Sequence, residues 1–311
     1  MSKLYNEIEP YLTGHLPVSD LHQIYYEVSG NPDGIPLLFI HGGPGGSTSA
    51  KCRQLFNPSK YKIILFDQRG AGKSLPAYET KDNNTWELIN DIEKLRKHLN
   101  VDKFVIFGGS WGTTLGLSYA INHPKHVSHL VLRGVFLTRQ EDIDFLYEKG
   151  ADAFYPEYFK PYKEFVKDVP KDTLLEKYYH VFNSGEYSDD FIKRAAYLFA
   201  NWESCLVSVH HQKLFDDEHS NLSISKLETH YFHHKSFFPT DNYILENAYK
   251  IKDIPTFIVH GRQDMDTRPI GAFLLKEQLN NCELNVMDVA GHTMWDENNL
   301  NKLIEIFDNL K

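Results

Sequence analysis

The segment Val105-Ile-Phe-Gly-Gly-Ser-Trp-Gly-Thr-Thr-Leu115 constrains this chain more than any other stretch. An apolar run of strand character meets Gly108-Gly-Ser-Trp-Gly112 and gives way to small and apolar residues suited to a helix. The G-x-S-x-G spacing predicts a sharp strand-to-helix turn that holds Ser110 in a strained backbone conformation. Glycines are needed on either side because a Cβ there would collide. A serine so held projects its hydroxyl over the edge of a sheet, and the N–H of Trp111, at the start of the helix, faces a developing oxyanion. A plain Gly-Ser turn would carry no chemistry. The strand before it and the helix after it favour a nucleophile, and the rest of the chain must then supply a base and an acid.

Upstream, residues 23–29 alternate as a strand, and Ile35-Pro-Leu-Leu-Phe-Ile40 reads as a strand buried on both faces. It runs straight into His41-Gly-Gly-Pro-Gly-Gly46, a loop whose backbone N–H groups can approach a ligand unobstructed. Gly43 is the expected second oxyanion donor. Lys62–Phe66 is the next strand. It leads into Asp67-Gln-Arg-Gly-Ala-Gly-Lys-Ser74, whose ending imitates a phosphate-binding loop. The imitation fails because Asp67 stands where such a loop needs its first glycine, so a tight turn beside the catalytic loop is the better reading. Leu88, Ile92, Leu95 and Leu99 share one face of a helix over Trp86–Leu99, with Asn84 and Glu87 spaced as a capping pair.

A helix over Thr113–Asn122 and a strand over His129–Arg133 continue an order read as strictly alternating β and α. That order predicts an α/β fold: a mostly parallel sheet with helices on both faces and catalytic residues at the carboxyl ends of its strands. From about Thr138 to Lys252 strand patterns vanish, which predicts an inserted helical cap over residues 138–252. Residues 1–137 and 253–311 then form the catalytic domain. The sheet resumes at Ile254–His260, ending in Gly261-Arg-Gln-Asp-Met-Asp266, and closes with Leu284–Val289, ending in Ala290-Gly-His292. The chain thus delivers Ser110, then an aspartate, then His292, each just past a strand. His292 would take the serine proton while the acid fixes its tautomer. Asp264 is the favoured acid and Asp266 the alternative. Asp288 and Asp296 read as exposed surface residues.

Composition bounds the function. The 311 residues carry a formal net charge of −9 with no long block of one sign, which argues against a nucleic-acid partner. Cys52, Cys205 and Cys282 are odd in number and scattered, fitting a reducing compartment. No signal-peptide core or membrane-length apolar run is present in the sequence, so a cytoplasmic protein off the membrane is expected. His230, His233 and His234, with His210 and His211, lack a metal-ligand pattern and read as surface or packing residues. No metal and no cofactor is expected.

With these motifs together, the chain resembles the proline iminopeptidases of the α/β-hydrolase fold over nearly its whole length. The resemblance is carried by HGGPGG at His41–Gly46, DQRG at Asp67–Gly70, GGSWG at Gly108–Gly112 and RGVFL at Arg133–Leu137. Trp202-Glu203, E-x-H-Y-F at Glu228–Phe232 and GRQD at Gly261–Asp264 add to it. It implies Ser110, Asp264 and His292 as a triad, the backbones of Gly43 and Trp111 as the oxyanion hole, and Glu203 and Glu228 as the residues that bind a substrate's free amine. The implied partners are small peptides with N-terminal proline. The chain departs from the family at Ala71 and Lys73, where Cys and Arg are common, at Thr113, and in an acid loop one residue longer, Asp264–Pro269. An esterase or amidase acting on uncharged substrates is the alternative activity, and a catalytically silent ligand-binding protein is the reading from outside enzymology.

Overall fold

The computed structural model describes residues 4–210 and 216–311. Strands β1 (Leu12–Pro17), β2 (Gln23–Gly30) and β3 (Ile35–Ile40) are followed by the short helix α1 (Ala50–Arg53), β4 (Tyr61–Phe66) and α2 (Thr85–His98). Then come β5 (Phe104–Gly109), α3 (Trp111–Asn122) and β6 (Val127–Arg133). Helices α4 (Gln140–Tyr147), α5 (Pro156–Phe165), α6 (Leu174–Asn183), α7 (Asp189–Ser204), α8 (Glu218–His233) and α9 (Tyr243–Asn247) occupy the stretch before β7 (Thr256–Gly261). No strand interrupts them among the described residues. The chain ends with α10 (Pro269–Gln278), β8 (Cys282–Met287) and α11 (Glu297–Asn309).

One sheet in the order β1-β2-β4-β3-β5-β6-β7-β8 unites these strands. From β4 to β8 all neighbours are parallel, whereas β2 runs antiparallel to both β1 and β4. The strict β, α alternation is therefore corrected at the amino-terminal edge, where β1, β2 and β3 follow one another without a helix. Strand β1 escapes a reading by pattern because its LTGHLP has no buried residue.

The period of two decides which face each strand residue serves. Leu38, Ile40, Phe104 and Ile106 join a core shared with α2 and α3, while Leu37, Phe39, Val105 and Phe107 join Phe56 and Phe307 beneath α11. Both faces are thus covered, so the central strands must be apolar throughout. Helix α2 starts at the expected cap: Asn84 Oδ1 accepts from the N–H groups of Trp86 and Glu87, each at 3.1 Å. Glu87 does not complete the pair. Its carboxylate accepts instead from Arg69 Nη2 at 3.0 Å.

Candidate active site

Ser110 follows the last residue of β5 and caps α3 at φ 59°, ψ −129°, a conformation that costs a residue with a side chain about 1–3 kcal/mol. The flanking glycines permit it. A Cβ on Gly108 would stand 2.3 Å from the Gly112 carbonyl oxygen, and one on Gly112 would stand 2.2 Å from that of Ile40. The first N–H groups of α3, Trp111 among them, have no partner one turn back and point out of the helix start.

The glycine loop is held against this turn by the glutamine of the DQRG stretch, a residue given no role of its own by the motif. Gln68 donates its backbone N–H to His41 Nε2 at 3.0 Å and its side-chain amide to the His41 carbonyl at 2.9 Å. Its Oε1 accepts from the Trp111 indole at 2.9 Å. Burial holds the His41 imidazole below its ordinary pKa, consistent with an accepting nitrogen. One glutamine therefore ties together the two segments that carry Gly43 and Trp111. Gly43 adopts φ +108°, and a Cβ there would meet the Gly45 nitrogen at 2.5 Å. The phosphate-loop look-alike has a different task. Asp67 accepts from the N–H and hydroxyl of Thr48, each at 2.8 Å, and from the Lys73 N–H at 2.9 Å, so the turn braces the glycine loop.

At the far strand ends, Asp264 Oδ2 lies 2.9 Å from His292 Nδ1. The same oxygen accepts from the Thr267 hydroxyl at 3.1 Å, and Oδ1 accepts from the N–H groups of Asp266 at 3.0 Å and Thr267 at 2.8 Å. Burial alone would raise this acid. His292, His260 and the Thr267 N–H outweigh it and hold Asp264 below the usual carboxylate range. Arg133, at the end of β6, donates to the His292 carbonyl at 2.8 Å and braces the loop from below.

The opposite ring edge is occupied differently. His292 Nε2 faces Asp266 Oδ2 at 3.2 Å, without the alignment of a hydrogen bond. Ser110 Oγ makes no hydrogen bond among the described residues. The structure thus brings Asp264 to one ring nitrogen of His292 and Asp266 to the other.

Asp296 is a correction. It is buried, and its carboxylate accepts from the Ser208 hydroxyl at 2.6 Å and from the Gly291 N–H at 2.7 Å. With the Thr293 N–H donating to the Val207 carbonyl at 2.6 Å, it locks the His292 loop to the segment that follows α7. Asp288 is exposed.

Glu203 on α7 and Glu228 on α8 meet at one hydroxyl. Tyr147 donates toward Glu228 Oε2 at 3.0 Å and Glu203 Oε2 at 3.3 Å. Glu203 keeps partial exposure and lines a cavity of about 230 Å³ with Ala200, Val207 and Ile224. Glu228 is fully enclosed, and its Oε1 has no partner. Burial, followed by the charge of Glu203, pushes Glu228 well above the usual carboxylate range. Glu203 is raised by burial as well. No sequence signal pointed to Tyr147, which is the last residue of α4, a helix of no distinctive pattern.

Three of the histidines singled out earlier are engaged in packing: His230 Nε2 lies 2.8 Å from the Asn83 carbonyl, His233 stacks on Tyr179 with centroids 3.9 Å apart, and His234 stacks on Phe237. His211 lies outside the described residues. No described helix is long and apolar enough to cross a membrane.

A family model described as the alpha/beta hydrolase fold matches residues 35–298, and the chain belongs to that family. An α/β-hydrolase enzyme from a Medee basin deep-sea metagenome library, MGS-M2, shares the fold with a TM-score of 0.62 at 18% identity, over 93% of this chain and 96% of that one. Within the family, sequence relatives place the chain among the proline iminopeptidases. It is 44% identical to a probable proline iminopeptidase of Leptolyngbya boryana, over 99% of this chain and 97% of that protein. It is 43% identical to the proline iminopeptidase of Arabidopsis thaliana, over 93% of this chain and 77% of that protein. The Neisseria meningitidis serogroup B proline iminopeptidase is 40% identical over 99% of this chain and 98% of the relative.

Proposed function

We propose that this protein is a serine exopeptidase that releases N-terminal proline from small peptides. Ser110 Oγ attacks the prolyl carbonyl carbon while His292 Nε2 takes its proton, and the N–H groups of Gly43 and Trp111 receive the oxyanion. Collapse of the tetrahedral adduct breaks the peptide bond, and the histidine proton goes to the leaving amine. Water, deprotonated in turn by His292, then cleaves the prolyl ester and restores Ser110. Asp264 holds the Nδ1–H tautomer throughout. Residues 138–252 act as a cap that presents Glu203 and Glu228 to the substrate's ammonium. With its three cysteines free, a reducing cytoplasm suits the protein.

The observation that carries this reading over an esterase is the pair of desolvated carboxyls at the Tyr147 hydroxyl. Such groups are satisfied by a cation and penalise any neutral group placed against them. The test is hydrolysis of prolyl naphthylamide, its N-acetyl form and a neutral ester, with Ser110→Ala as the control for covalent catalysis. The free-amine substrate should be cleaved and the acetylated one spared. Equal cleavage of both would replace the exopeptidase with an esterase or amidase.

A further inference from the structure

Asp266 stands apart from its neighbour on the acid loop. It is buried, its Oδ2 has no hydrogen-bond partner, and that oxygen lies 3.2 Å from the nitrogen through which His292 must serve Ser110. It also lies within electrostatic reach of Glu203 and Glu228. Asp264 already satisfies the other ring nitrogen, so Asp266 is not needed as the orienting acid.

Resting on the exopeptidase reading, we propose that Asp266 gates the base: without substrate it occupies the Nε2 edge of His292, and an arriving ammonium draws it to the amine subsite as a third carboxylate beside Glu203 and Glu228. The groups facing Asp266 set the proton balance. Burial raises it first of all, Glu203 and Asp264 raise it further, His292 and Arg133 oppose them, and the result is about 8. At neutral pH Asp266 therefore keeps its proton, and the neutral carboxyl sits against the Nε2 edge. An ammonium among the three carboxyls lowers their affinity for protons. That proton passes to solvent, Asp266 becomes the anion paired with the ammonium, and Nε2 keeps its lone pair for the Ser110 hydroxyl. Only O–H and N–H bonds change. A substrate lacking the amine meets a base still occupied, which adds discrimination in the rate to discrimination in binding.

Two measurements test the gate. Asp266→Asn should lower kcat/KM on prolyl naphthylamide about ten- to 150-fold, the loss of one charged contact. The same variant should raise the rate at which a small neutral sulfonyl fluoride labels Ser110 by about three- to tenfold, if a third to a tenth of resting molecules are competent. Opposite signs are the signature. Rates that fall together, or do not change, overturn the gate and leave Asp266 as scaffolding. The second measurement uses the unaltered protein and needs no peptidase turnover: pyrrolidinium, which fills the amine subsite but carries no carbonyl, should accelerate the sulfonyl fluoride about threefold or more. Protection or indifference would overturn the gate even where prolyl naphthylamide is cleaved. Failure to cleave prolyl naphthylamide, with acceleration intact, would instead retire the proline reading.

Discussion

Asp264 and Asp266 are two residues apart, equally buried at 3% and 4% exposure, and lie on the same loop beside the same imidazole. Asp264 collects two backbone N–H groups, a hydroxyl and a ring nitrogen, and its pKa falls. Asp266 collects no hydrogen bond on Oδ2 and shares its surroundings with Glu203, and its pKa rises to about 8. Burial is common to both, so the hydrogen bonds and neighbouring charges decide the sign. The two regions differ in what they require. Asp264 is fully partnered before any substrate arrives, whereas Asp266 and Glu228 each keep a buried carboxyl oxygen without a hydrogen-bond partner, which is what the proposed ammonium subsite would use.

The largest test of that contrast is Asp264→Asn. An asparagine can keep the shape of the loop but cannot hold the Nδ1–H tautomer or stabilise the imidazolium, so kcat on a prolyl substrate should fall by about 10⁴-fold. Steady-state kinetics of Asp264→Asn beside Asp266→Asn would exchange the two roles if the second variant suffered the greater loss.

Glu228→Gln comes next. It takes an ionisable carboxyl from the proposed ammonium subsite without touching the strand ends, and should cost about ten- to 150-fold in kcat/KM on prolyl naphthylamide. Activity on a neutral ester should stay within about threefold of the wild type. Parallel losses on both substrates would mean that Glu228 supports the fold of α8 rather than the ammonium. Glu203→Gln should follow the same pattern less steeply, because its partial exposure already lets water share its charge.

The two regions were unequally legible in the sequence. Glycines forced by close backbone contacts around the Ser110 turn, or an apolar run buried on both faces, leave a local mark, so the elbow, the glycine loop and the parallel strands could be read one segment at a time. Strand β1 left none, being an exposed edge without alternation. Asp296 was misread for a related reason: a polar residue four positions past the histidine resembles a surface loop, and only the return of Ser208 and the Gly291 N–H shows that it is a buried brace. Tyr147, Glu203 and Glu228 come from separate helices, α4, α7 and α8, and meet through packing that no spacing encodes. Resemblance to a family named the glutamates, but the shared hydroxyl required the structure.

The last test concerns stability, and its sign separates the two aspartates again. Asp264 has a folded pKa below its unfolded one, so its contribution is present above the unfolded value and is lost as pH falls through the folded value. Asp266 behaves in reverse. Its carboxyl stays protonated in the folded protein up to about 8 while the unfolded chain ionises near the ordinary 3.8. The native state then holds the extra proton across that window, and stability falls as pH rises through it, by up to about 1.4 kcal/mol per pH unit. His41 and His260 are pushed down by burial and slope the other way below their ordinary pKa. The global curve therefore mixes both signs, and the useful quantity is the difference between wild type and Asp266→Asn in denaturant unfolding at pH 5 and at pH 8. The variant should gain stability relative to wild type on going to pH 8. A difference that stays constant between the two pH values would mean that Asp266 is ionised in the resting protein, and the contrast with Asp264 would then rest on geometry alone.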